Sequence, residues 1–115
     1  MRRWLALCAA LATAGCGSQL QRDLRAADAR CDEGKAAGKA AFVACLDAQD
    51  RPVWAHEEPA TLDLYDGFAR RRAALARQLD QGTIDDAHYR AELASTVKDF
   101  KGQVAARRAA AAAQE

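Results

Sequence analysis

The 115 residues hold only two serines, Ser18 and Ser95, and only two histidines, His56 and His88. A hydrolase or lyase needs an activated nucleophile, or a paired acid and base, set in a concave site. A Ser95, His88, Asp85 trio can be drawn, but the helical rise from 88 to 95 is about 10 Å, which forbids direct contact. Glu57 and Glu58 adjoin Pro59 and define no carboxylate spacing. Cys-x-x-Cys is missing too, which removes dithiol redox catalysis. No glycine-rich phosphate loop is present, and no strand is legible to precede one. With 17 basic and 16 acidic residues, the formal net charge of +1 gives nucleic acid little to hold. These absences predict no catalytic residues, no cofactor and no nucleic-acid partner.

What is present begins at the first residue. Arg2 and Arg3 form a positive start, Trp4 to Ala14 is apolar, and Thr13-Ala14-Gly15 leads into Cys16. The apolar run covers eleven residues, about half of what a membrane-spanning helix requires, so it reads as an export signal. The stretch Thr13-Ala14-Gly15-Cys16 resembles the lipobox of bacterial lipoproteins, with Thr13 where an aliphatic residue is usual. The resemblance implies a diacylglycerol on Cys16, cleavage before it, and often acylation of the new amine. At roughly 0.8 kcal/mol per buried methylene, two or three acyl chains hold a protein at a membrane almost permanently. Gly17 stands where the retention signal Asp is common in enterobacterial lipoproteins, which favours the outer membrane, facing the periplasm. Loss of residues 1–15 removes Arg2, Arg3 and Cys8 and leaves a side-chain charge of about −1.

With Cys16 expected to carry lipid, Cys31 and Cys45 remain as the only pairable thiols of an exported chain. An oxidising compartment predicts one disulfide between them. A continuous helix would hold them about 21 Å apart, so the backbone must reverse around Gly34 and Gly38. A metal site built from Cys31, Cys45, His56 and His88 matches no compact zinc spacing, and none is expected.

The remaining periodicity is helical. The boundaries read as a signal peptide over 1–15, a tether over 16–19, one helical domain over 20–106 and an alanine-rich tail over 107–115. Residues 20–30 place Leu20, Leu24, Ala27 and Cys31 at helical spacing. A second helix starts near Lys35 or Gly38 and carries Phe42, Cys45, Leu46 and Gln49 on one side. Pro52 and Pro59 predict a break over 51–60. Trp54 in that stretch either closes one end of the core or protrudes as a contact residue. Residues 61–80 form a third helix capped by Thr61, with Leu62, Tyr65, Phe68 or Ala69, Leu75 or Ala76, and Leu79 in its stripe. Asp66 and Arg70 are spaced for an ion pair, and Arg70, Arg71 and Arg72 read as a solvated face. Gly82 stops that helix and Thr83 caps a fourth, in which Tyr89, Leu93, Val97, Phe100 and Val104 align. Asp85 and Asp86 suit its first turn. The tail after Arg107 and Arg108 supplies little apolar area and is expected to fray in solvent.

The run Arg71-Arg72-Ala73-Ala74-Leu75-Ala76-Arg77-Gln78-Leu79-Asp80-Gln81-Gly82-Thr83-Ile84-Asp85 resembles a pattern of small uncharacterised proteobacterial lipoproteins. In these a basic, alanine-rich helix, an Asp-x-Gly-x-Ile/Leu-Thr turn and an acidic helix start follow an upstream cysteine pair. The likeness covers about residues 31–100, and Asp85 stands where Thr is common. It implies a helical hairpin and no transferable activity. The expected fold is all-α, a hairpin or a three- to four-helix arrangement with little room for a ligand-sized pocket. The expected function is a membrane-anchored periplasmic interaction module that contacts an envelope protein. Its alternative is a self-associating structural lipoprotein of the envelope. A small-molecule sensor accessory would require an apolar cavity.

Overall fold

The computed structural model describes residues 19–115, and among these there are helices, turns and short irregular connections but no strand. Four α-helices follow in order: α1 (Gln19–Asp28), α2 (Lys39–Glu57), α3 (Leu62–Asp80) and α4 (Asp86–Ala113). Single 3-10 turns at Glu33–Lys35 and Pro59–Thr61 precede α2 and α3. The all-α expectation is met, in its four-helix form. Each helix runs back along the one before it, with α2 packed on α1 and α3, and α3 packed on α4. Tertiary hydrogen bonds fix the directions: Arg30 Nη1 donates to Gln49, Arg51 Nε to Asp66, and Arg71 Nε to Thr96.

The chain reversal between the cysteines is real. Cys31 and Cys45 are bonded, with their Cα atoms 5.9 Å apart. Gly38, at φ 116°, gives the left-handed backbone from which α2 departs, so the helix begins at Lys39, one residue after the later of the two expected starts. The first backbone N–H groups of α2 are capped from another helix. Lys39 N and Ala40 N each donate to a carboxylate oxygen of Asp80 at 2.9 Å. These two bonds hold the Asp80 carboxyl below its ordinary range. A Cβ at Gly38 would meet Asp80 Oδ2 at 3.0 Å, so the close approach requires glycine as the turn does.

Pro52 does not break α2, which continues to Glu57. Its ring lies on the exposed face, while Val43, Asp50 and Trp54 are buried on the other. Burial of that face compensates for the single backbone hydrogen bond that proline removes. The expected stripe of Phe42, Cys45, Leu46 and Gln49 is only half-buried, because it lies between the core and α1.

Two further boundaries move. Thr61 precedes α3 but makes no side-chain cap. Its hydroxyl instead accepts from Trp54 Nε1 at 2.9 Å and donates to the Glu58 carbonyl at 3.1 Å. After α3, Gly82 N–H bonds Leu79 O and Thr83 N–H bonds Gln78 O, with Gly82 at φ 73°. This is the paired closure of a Schellman motif, so Thr83 finishes α3 and does not start α4. Asp85 is the N-cap, accepting from His88 N at 2.8 Å. The alanine-rich tail is helical to Ala113. Arg107 reaches back to the Ala60 carbonyl and Asp63, and Arg108 pairs with Glu58. These anchors hold the start of the predicted fraying segment against the Pro59–Thr61 turn.

Candidate functional site

The core divides into two clusters along the bundle. At one end Val43, Leu75, Ala76 and Tyr89 pack together, with Leu79, Ile84 and Leu93 against them. This closed end contains the disulfide, the Asp80 cap and the α3–α4 turn. At the other end Trp54, Tyr65, Ala69 and Val104 form a second cluster, flanked by Leu20, Leu24, Phe68 and Phe100. Its aromatic rings interlock: Trp54 and Tyr65 stack at 5.6 Å, and Phe68 and Phe100 stack at 4.8 Å. Trp54 is buried, the core-closing alternative of the two expected for it.

This second end is not filled. A cleft of about 720 Å³ opens there, contrary to the expectation of too little room. All four helices contribute. Leu20 and Leu24 come from α1, Asp50 and Trp54 from α2, Tyr65, Phe68 and Arg72 from α3, and Val97, Phe100 and Val104 from α4. The first turns of α1 supply the fourth wall, so three helices would not enclose this volume.

Two ionisable side chains are set among those apolar walls. Asp50 is 6% exposed and Arg72 is 9% exposed. Asp50 Oδ1 and Arg72 Nε and Nη2 are buried without any hydrogen-bond partner. Burial is the largest cause that pushes the Asp50 carboxyl up to about 7. Hydrogen bonding to Asp28 and the negative charges of Asp28 and Asp47 add to it, while Arg72 opposes them. Near neutrality a large fraction of Asp50 is therefore uncharged, which weakens its attraction to Arg72. The guanidinium lies 5.0 Å from the Phe68 ring centroid, a cation–π contact that offsets part of its desolvation. Tyr65 donates to Asp47 Oδ1 at 2.8 Å, and this bond, after burial, raises its phenol above the ordinary value.

Arg72 corrects the reading of the arginine triplet. Arg70 and Arg71 are exposed, but Arg72 turns inward at the α3 position between Ala69 and Leu75. Arg71 still makes contacts, donating to Thr96 Oγ1 at 2.8 Å and pairing with Glu92 at 3.4 Å. Asp66 pairs with Arg51 across helices and not with Arg70 on its own, because α2 brings a guanidinium to 2.9 Å. Asp50 carried no sequence signal beyond its place one turn before Trp54. A period count centred on Trp54 would have placed it inside.

The other sequence candidates stay apart. His88 is exposed and 3.9 Å from Glu92, and Asp85 is used by the His88 backbone. Ser95 and His56 are exposed. Glu58 is engaged by Arg108, while hydrogen bonding to Asp23 raises the Glu57 carboxyl above its usual range. Among the described residues no three His, Cys, Asp or Glu side chains gather in a way that could hold a metal ion. Nor is any described helix long and apolar enough to cross a membrane. Cys16, the expected lipid attachment point, lies outside the described residues. No protein-family model, curated protein or solved structure matches the chain.

Proposed function

We propose that this protein is an interaction module anchored to the bacterial envelope through lipid on Cys16, on the periplasmic side of the outer membrane, and that it acts by binding without turnover. The observation that carries the reading is the cleft at the end of the bundle where α1 begins. Gln19 lies three positions after Cys16, and so short a stretch spans about 10 Å at most. An anchor there sets the cleft mouth against the membrane surface, while the closed end points away. The lipobox-like sequence and the disulfide expected of an exported chain support the same location.

Self-association is the second reading. It draws on a shallow apolar strip on the outer face of α4, where Leu93, Ala94 and Val97 lie between Arg90, Lys98 and Lys101. Two measurements test the proposals. Growth with an alkynyl fatty acid should label the wild type and leave Cys16→Ser unlabelled; an unlabelled wild type removes the anchor. A photo-cross-linking residue at Gln21, beside the cleft, should give one defined adduct in intact envelopes. Self-adducts from a probe at Ala94 would select the structural reading, and no adduct from either position would contradict both.

A further inference from the structure

The cleft specifies a ligand class, an inference that rests on the cleft being the binding site. Arg72 Nε and Nη2 form the side edge of the guanidinium, the two-donor edge that meets both oxygens of one carboxylate. Both donors are buried and unpartnered. A buried guanidinium with an unused edge is costly, since the hydration it gave up is not replaced. Arg72 lines the cleft, and a turn of its side chain would bring this edge to an acceptor there.

The surroundings set the rest of the ligand. Trp54, Phe68, Phe100, Leu20 and Leu24 supply an apolar channel too large for a few waters to fill as a polar network. Lys101 adds a second cation at the rim, while Arg108 is paired to Glu58. Below neutrality, where Asp50 is largely uncharged, the local field favours an anion, and the walls favour a hydrocarbon body. We propose that the open end of the bundle binds an apolar carboxylate of the fatty-acid class, with Arg72 clamping the carboxylate and the aromatic walls holding the chain.

The test uses the full chain held in phosphatidylcholine nanodiscs, with empty discs as the blank. Decanoate, 1-decanol and decyltrimethylammonium are titrated while tryptophan emission is followed; after loss of the leader Trp54 is the sole tryptophan. Decanoate should shift the emission saturably, and decanol should need at least about 10-fold more, the worth of a charge-assisted two-bond contact. Arg72→Met should remove that preference, and Arg72→Lys should restore part of it. The comparison of ligands on the wild type does not depend on any variant folding. Equal response to all three probes would overturn the carboxylate assignment, leaving a merely apolar cleft. No response to any probe, with the Gln21 adduct still present, would reject this inference alone. Loss of both would reject the cleft as a binding site.

Discussion

The two ends of this bundle use similar numbers of buried residues to opposite effect. At the closed end Asp80 takes two backbone N–H groups, the Schellman turn satisfies the carbonyls of Gln78 and Leu79, and among the described residues no fully buried side-chain nitrogen or oxygen there lacks a partner. Small and aliphatic side chains, with the single ring of Tyr89, fill the space between helices there. The open end is richer in aromatic area, yet it leaves Asp50 and Arg72 with unused hydrogen-bonding atoms beside a cleft. Large rings stack on one another and span distance without filling it, which is how an aromatic cluster can coexist with a cavity. The contrast teaches that burial alone does not mark a structural core. Satisfaction of the buried polar atoms separates the closed end from the open one.

Removing the disulfide should produce the largest effect. α1 buries only Ala27 outright, so its attachment depends on Cys31–Cys45 and on half-buried Leu20 and Leu24. Cys31→Ser with Cys45→Ser should cost about 3 kcal/mol in urea unfolding, the value for a loop of this length. Because α1 is tied at the closed end but walls the cleft at the other, amide exchange should accelerate throughout Gln19–Asp28. Unchanged exchange in α1 would show that the cleft wall stands without the staple.

The next largest effect belongs to the closed end. Asp80→Ala should cost about 1 kcal/mol through loss of the α2 cap, read as a lower denaturation midpoint at constant slope. An unaltered midpoint would mean that the start of α2 is held by Gly38 and the turn alone.

A pH series sharpens the comparison from the open end. The Asp50 carboxyl, raised to about 7 in the fold from an ordinary 3.8, binds its proton more tightly folded than unfolded. Stability contributed by this group is therefore full below about pH 4 and declines as pH rises through 7. The slope should not exceed roughly 1.4 kcal/mol per pH unit. Asp63, Asp66 and Asp80 are shifted downward and act only at lower pH, so they do not mask this window. Melts of the wild type should weaken between pH 5 and pH 8, and Asp50→Asn should flatten that change. A wild type equally stable at both values would place Asp50 in water.

Much of this fold was legible in the sequence. The periodicity of Tyr65, Ala69, Leu75 and Ala76 marked α3, Gly82 marked its end, and the thiols of Cys31 and Cys45 marked the cross-link. Three features were not, and each for a tertiary reason. Pro52 sits in a helix because the opposite face is buried strongly enough to hold it. Asp80 caps a helix forty residues earlier in the chain, a contact no local pattern encodes. Arg72 differs from Arg70 and Arg71 only by its angle around α3, and an uninterrupted arginine triplet conceals which member turns inward. The cleft was hidden for a related cause, since it exists only where α1 folds back over the first turns of α3. The pairing of Arg107 and Arg108 with residues 58–63 was equally beyond a local reading.

The smallest expected change in stability is also the most decisive. If the open end is built for occupancy, Arg72→Met replaces a desolvated, unpartnered guanidinium by an apolar chain of similar length. At pH 6, where Asp50 is largely protonated, thermal unfolding of Arg72→Met should then occur at the wild-type temperature or above it. A fall equivalent to about 3 kcal/mol or more, the cost of breaking a buried pair, would make Arg72 a structural member of the core and contradict the account.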